Sequence, residues 1–239
     1  MRIYGINPVL EALRVKRVTA IRVSQRADDR LTSIVRLAEQ QGIPVRRAKT
    51  AELDRFAHGG AHQGVVADAH DNVSLSVEDL VAGAAAAPLI VVLDQVEDPH
   101  NVGAILRTVD AAGADGVVRQ SRHAARLDGT AAKASAGAVA HVKIAEVVNI
   151  AHALEVLKEA GVWTVGLAGE AVKRYDEVDF TLPTALVVGA EGIGLRRLVR
   201  EHCDWLVSIP MQGHVASLNV SVATGIALFE ALRQRARKK

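Results

Sequence analysis

Apolar and polar residues alternate along this chain with two different periods, and the period changes mark its elements. In the front part, residues 8–13 space their apolar positions as a short helix, and Leu31, Ile34, Val35 and Ala38 mark an amphipathic helix that ends at Gly42. Residues 20–24, 43–45 and 64–67 read as short strands, and residues 51–56 as one more helix. This alternation predicts a compact α/β unit over residues 1–70. Asp71 and Asn72 then open a linker, residues 71–87, in which Ser76 and Asp79 are spaced to cap a short alanine-rich helix ending near Pro88.

The pattern changes at residue 88. Residues 89–93 form a continuous apolar run, as expected of a strand buried on both faces. Further runs at 116–118, 162–167, 185–188 and 206–209 alternate with helical patterns, which predicts a parallel sheet. Ligands of such sheets sit beyond the carboxyl ends of the strands, so the loops to examine are 97–103, 168–170, 189–194 and 210–217. After the last loop, Ser217 is a suitable N-cap, and residues 218–232 are apolar nearly all round. A helix without a solvent stripe is expected to be buried on all sides. Asn219 and Ser221 in its first turn then need hydrogen-bond partners, either neighbouring backbone or a ligand.

Composition narrows the class. The chain has 239 residues, 49% hydrophobic and 23% charged, an ordinary soluble balance. The start, MRIYGINPVL, lacks the apolar core of a secretory signal, and no apolar run reaches the ~20 residues of a membrane span, so a cytoplasmic protein is expected. Cys203 stands alone, and the nine histidines show no metal-ligand spacing, so no metal is expected. Net charge is only +2, but residues 1–72 carry 12 Lys and Arg against 8 Asp and Glu. The basic end is the front end, which suits an anionic partner as well as it suits scattered surface charge. With 3% aromatics a base-stacking surface is disfavoured, so a nucleic-acid partner would be held through phosphate and shape.

The glycine-rich turn from Gly189 to Gly194 matches neither a phosphate-binding P-loop nor a dinucleotide fingerprint. A tight strand-to-helix turn and a peptide platform for a flat ligand both account for it. Arg107 shares a helix face with Gly103, and both a solvated position and one facing the cleft of Asn101 and Glu191 remain open. Arg119, Arg122, His123 and Arg126 form either a phosphate clamp or a solvated loop.

Three segments taken together are more specific. Asp98-Pro99-x-Asn101-x-Gly103-Ala104-Ile105-x-Arg107-Thr108, then Gly189-x-Glu191-Gly192, then Ile209-Pro210-Met211-x-Gly213-x-x-x-Ser217-Leu218-Asn219-Val220-Ser221 resemble, in order and spacing, the three motifs of the TrmH/SpoU class of SPOUT RNA methyltransferases. Lys133-x-Ser135-x-Gly137-Ala138, Tyr4-Gly5-Ile6 and His62-Gln63-Gly64 extend the likeness into an L30e-like front domain, so nearly the whole chain is covered. It is most similar to the bacterial members that methylate a guanosine of large-subunit ribosomal RNA.

The resemblance implies an L30e-like substrate domain at 1–70 and a knotted, dimerising methyltransferase domain at 88–239. Its α/β fold carries a deep trefoil knot, where periodicity alone suggests an ordinary doubly wound sheet. It implies S-adenosyl-methionine as cofactor, 23S ribosomal RNA as partner and a homodimer. Asn101, Arg107, Glu191, Ser217 and Asn219 match the reaction site; Gly189, Ile209 and Leu218 match the cofactor site, with Gly169 and Met211 beside it. The family assigns the arginine as proton acceptor. A guanidinium is a strong donor and a reluctant base, so stabilising the emerging alkoxide is the other role open to Arg107. Where many relatives have proline followed by Lys/Arg-x-Arg-Ser, this chain has Gln120-Ser121-Arg122-His123-Ala124, and Lys143 stands where relatives often have proline. Transfer RNA, a resistance site on ribosomal RNA, or a non-catalytic assembly role are the alternatives to ribosomal guanosine methylation.

Overall fold

A computed structural model of the chain describes residues 1–25, 29–71 and 74–237. The chain packs into two compact units. The first takes Met1–Asn72, Val102–Arg107 and Arg126–His141; the second takes Val73–Asn101, Thr108–Ala125 and Val142–Lys239.

The first unit begins with β1 (Arg2–Tyr4), α1 (Ile6–Arg14), β2 (Val18–Ser24), α2 (Asp29–Gln40), β3 (Val45–Ala48), α3 (Thr50–Phe56) and β4 (Val65–Ala69). Its sheet runs β1-β4-β2-β3, with only the β2–β3 pair parallel. Tyr4, Ala48, Leu53, Ala57 and Val66 close one face of the sheet under α3. The strand expected at 43–45 starts at Val45 instead, because Pro44 has no N–H to give to a ladder and contributes only its carbonyl, to Ile21 N. Strand β1, three residues long, is too short to show an alternation in sequence. Asn72, expected in the linker, lies outside the described residues, and Asp71 pairs with the N-terminal amine at 2.7 Å.

From residue 74 the order is β5 (Ser74–Leu75), α4 (Val77–Ala82), β6 (Leu89–Asp94), α5 (Pro99–Ala112), β7 (Gly116–Gln120), α6 (Gly129–Ala134), β8 (Ile144–Val147), α7 (Ile150–Glu159), β9 (Trp163–Leu167), β10 (Thr184–Gly189), α8 (Arg197–His202), β11 (Trp205–Val207) and α9 (Val220–Ala236). Helix α6 belongs to the first unit. The seven strands of the second unit form one sheet, β11-β9-β10-β6-β7-β8-β5, in which every pair is parallel. Strands β6 and β10 are buried at every position, as continuous apolar runs require. Ile90, Val92, Val118, Leu154, Leu157 and Val187 are fully buried between sheet and helices, each large side chain contributing about 1.5–3 kcal/mol.

Several boundaries differ from the sequence reading for identifiable reasons. Ser76 and Asp79 form the expected capping box, each side chain 3.0 Å from the other's amide, but α4 ends at Ala82 because Gly83 stops it short of Pro88. Helix α5 begins at Pro99, inside the stretch read as the loop 97–103: proline fits the first helical position, and Asp98 caps it by accepting from His100 N at 3.0 Å. Asn101 is therefore helical rather than in a loop. The last helix is capped by Asn219, not by Ser217, and runs to Ala236. Strand β11 covers Trp205–Val207, leaving Ile209 beyond it. Strand β8 and helix α7 went unread.

Helix α9 is also not buried all round. Ala227, Leu228 and Ala231 are buried, while Val222 and Phe229 are each 50% exposed and Leu232 is 38% exposed. Its far end is tied down by Arg235, which donates from Nε to Phe180 O (2.8 Å), from Nη1 to Ala87 O (2.7 Å), and from Nη2 to Pro88 O (3.0 Å) and Leu182 O (3.1 Å). Arg235→Met keeps the stem but strips these carbonyls of a charged donor. We expect a loss of about 1–3 kcal/mol in urea unfolding, with the secondary structure of the native state unchanged. Cys203 packs with its thiol toward Val199 O, and burial, helped by nearby Asp204, pushes its pKa up to about 12. It is a packing group rather than a nucleophile.

Candidate functional site

Paired in register from Thr184↔Leu89 to Gly189↔Asp94, strands β10 and β6 end at one level. The chain turns sharply after Gly189. A Cβ placed there would lie 2.2 Å from the carbonyl carbon and oxygen of Gly194, so only glycine lets the loop close on itself. Gly194 N completes the closure by donating to Ala190 O at 2.8 Å. Beyond this loop lies a cavity of about 390 Å³, lined by residues from the loops after β9, β10 and β11 and from the start of α9. That volume falls among ordinary small-molecule sites, roughly 300–1,000 Å³.

All five positions expected to bind a cofactor, Gly169, Gly189, Ile209, Met211 and Leu218, line this cavity. Of the five expected at the reaction centre, Glu191 and Ser217 line it. Asn101 and Asn219 stand behind Glu191 in a directed chain of hydrogen bonds. Asn219 Oδ1 accepts from Ser221 N (2.9 Å) and Ser221 Oγ (2.6 Å); Asn219 Nδ2 donates to Asn101 Oδ1 (2.9 Å); Asn101 Nδ2 donates to Glu191 Oε2 (3.1 Å). Asn101 is only 8% exposed, so both amides are held by this network in one orientation. Asn219 thereby caps α9 and braces Glu191 at once. Arg107 belongs to the first unit. It lies later on α5, is exposed, and among the described residues forms no hydrogen bond or ion pair.

Two residues that sequence reasoning missed hold the loop in place. Asp94, the last residue of β6, is fully buried, and Arg196, just past the loop, donates to it three times: backbone N at 2.9 Å, Nε at 2.7 Å and Nη2 at 2.6 Å. The signal available in sequence was the aspartate that ends an otherwise apolar run. The basic loop is corrected as well. Arg119 is 5% exposed, with Nη2 donating to Ala125 O, so it holds the loop from beneath and is no surface clamp; Arg122, His123 and Arg126 are exposed.

The charge of the lining restricts the ligand. Its charged side chains are Glu170 and Glu191, and Arg200 on α8 pairs with Glu170. Among the described residues no lysine or arginine lines the cavity, which disfavours a di- or triphosphate. The remaining carboxylate, set against Leu167, Val188, Ile209 and Leu218, suits a partly apolar ligand that carries positive charge. Among the described residues no cluster of His, Cys, Asp and Glu is placed to hold a metal ion, and no helix is long and apolar enough to cross a membrane.

Comparison with known proteins adds two family matches. Residues 88–229 match the SpoU rRNA Methylase family, and residues 2–72 match the family described as RNA 2'-O ribose methyltransferase substrate binding. The chain is 45% identical over 244 residues to the 23S rRNA (guanosine-2'-O-)-methyltransferase RlmB of Pseudomonas putida, covering 100% of this chain and 98% of that protein. The Escherichia coli protein of the same name is 43% identical over 238 residues, with 98% of each covered. Among solved structures, the SpoU methyltransferase AviRb from Streptomyces viridochromogenes in complex with AdoMet has a TM-score of 0.83 at 25% identity, covering 99% of this chain and 91% of that one.

Proposed function

Because the chain belongs to the SpoU rRNA methylase family, we propose that it methylates the ribose 2′-oxygen of a guanosine in 23S ribosomal RNA, with S-adenosyl-methionine as methyl donor. The observation that carries this reading is the cavity itself, largely apolar, lined among the described residues by no lysine or arginine, and edged by the braced carboxylate of Glu191. These residues fit a cationic nucleoside: peptide groups around Gly169, Gly189 and Leu218 would hold its adenosine part, with Ile209 and Met211 against it. Bound there, S-adenosyl-methionine supplies an electrophilic methyl group on a sulfonium.

What remains for the protein is to hold the nucleophile and stabilise its charge. Ser217, exposed on the cavity lining, is available to orient the ribose. Arg107, which forms no hydrogen bond or ion pair among the described residues, is available to donate to the attacking 2′-oxygen as negative charge develops on it and the hydroxyl proton passes to water or a phosphate oxygen. Asn101 and Asn219 keep Glu191 fixed, so the carboxylate needs no reorganisation during the reaction.

In this reading residues 1–70 form the RNA-presenting domain, 71–87 connect, and 88–239 form the methyltransferase domain. We further propose that α9, which follows the edge strand β11 yet packs on the interior strand β10, closes a trefoil knot. The exposed Val222, Phe229 and Leu232 support a homodimer formed through α9. A cytoplasmic location follows from the substrate.

The test is methyl transfer from labelled S-adenosyl-methionine to 23S ribosomal RNA lacking ribose methyl groups, followed by mapping of the product. One 2′-O-methylguanosine is expected. Tight cofactor binding with no transfer would replace this reading with a non-catalytic RNA-binding role; transfer to transfer RNA alone would move the substrate.

A further inference from the structure

On the first unit's sheet, four charged residues share one face, and two of them stack on a single aromatic ring. Arg2 and Asp68 are direct partners across β1 and β4, and Arg22 and Arg46 across β2 and β3. Asp68 also pairs with Ala20, two residues from Arg22, so all four share a face of the sheet. The guanidinium carbon of Arg2 lies 4.6 Å from the centroid of the Phe56 ring, and that of Arg22 lies 4.1 Å from it. Asp68 holds both arginines, Arg2 through Nε at 3.2 Å and Arg22 through Nη1 at 2.6 Å. Three guanidiniums therefore face one carboxylate.

The arrangement leaves donors over. Among the described residues Arg2 spends Nε on Asp68 and leaves both Nη groups free, Arg22 spends Nη1 and keeps Nε and Nη2, and Arg46 is exposed and forms no hydrogen bond or ion pair. The arginine side chains are 40% and 22% exposed for Arg2 and Arg22, so those donors are reachable. Ring and carboxylate fix the two guanidiniums before any ligand arrives, which removes much of the rotamer cost of binding. A planar fork with free N–H groups matches the oxygens of a phosphodiester.

We propose that Arg2 and Arg22, organised by Phe56 and Asp68, together with Arg46 on the same face of the sheet, form a phosphate-binding site for the backbone of the substrate RNA. The proposal rests on the methyltransferase reading above, since it gives the front domain an RNA to hold. It differs from a diffuse basic surface in predicting that charge at this face counts for more than equal charge elsewhere on the same unit.

The experiment uses the full chain and an unmethylated 23S ribosomal RNA transcript, with binding measured across a series of salt concentrations. Arg46→Glu is the main variant because Arg46 has no fold partner to lose; Arg46→Lys is its conservative counterpart, and Arg36→Glu, at an exposed residue of α2, is the control of equal charge change. For Arg46→Glu we expect Kd for RNA to rise about tenfold and the salt dependence to flatten by about one ion, with KM for RNA raised, kcat at saturating RNA unchanged and cofactor affinity unchanged. Arg46→Lys should stay within about threefold of wild type, and Arg36→Glu likewise. Equal losses for Arg46→Glu and Arg36→Glu would overturn the site in favour of general electrostatics, and an unchanged Kd for Arg46→Glu would overturn it outright. Failure of the underlying reading looks different: the wild-type chain itself would then transfer no methyl group to the RNA.

Discussion

Arg107→Ala is expected to lower turnover at saturating cofactor by about 10²–10³-fold, the usual cost of removing one donor aimed at developing negative charge. Cofactor affinity should stay within about twofold, because Arg107 does not line the cavity. Thermal stability should also hold, since this exposed side chain forms no hydrogen bond or ion pair among the described residues. That combination separates a catalytic loss from a folding loss. Arg107→Lys keeps a positive charge but not the planar fork; partial recovery would favour electrostatic stabilisation over proton abstraction. Single-turnover methylation with bound RNA is the measurement, and a rate near wild type for the alanine variant would remove Arg107 from the mechanism.

The second large effect is expected at Arg196. Removing it, as in Arg196→Met, leaves the fully buried carboxylate of Asp94 without its charged partner, and breaking such a pair costs about 3–5 kcal/mol. Because Arg196 itself is 37% exposed, the reverse change, Asp94→Asn, should cost less: the abandoned guanidinium can be rehydrated where the abandoned carboxylate cannot. The order of the two variants in urea unfolding is therefore the diagnostic result. Both should also weaken S-adenosyl-methionine binding in calorimetry, since the pair anchors the far end of the 189–194 loop. Equal stability of the two variants would show that the pair is not buried in solution.

Not all of this was open to sequence reading. The parallel sheet was legible because residues 89–93 and 185–188 are apolar without interruption, which only two-sided burial explains. The cavity-lining positions were legible because ligands of such sheets gather beyond the carboxyl ends; the family resemblance pointed to Gly189, Ile209, Met211 and Leu218, and the end of a strand to Gly169. Asn101 was misplaced in a loop because proline reads as a helix breaker until its use at the first turn is recognised. Ser217 was preferred to Asn219 as a cap because both suit the position, and only the bond from Ser221 N decides between them. The Asp94–Arg196 pair joins residues 102 apart, and no local pattern announces such a contact. The burial of α9 was overestimated for a related reason: an apolar helix says that it will be covered, not that its own chain will cover it.

The closed turn at Gly189 also sets limits for anyone wishing to redesign the enzyme. Position 189 tolerates no library, because the first side-chain atom already collides with the backbone across the loop. Gly169, in the lining after the neighbouring strand β9, has nothing within 4 Å of the place a Cβ would take. Efforts to make the enzyme deliver labels larger than a methyl group should thus diversify Gly169, Ile209 and Leu218 and leave the closure at Gly189 untouched; the room for redesign lies in the loops around that turn, not at it.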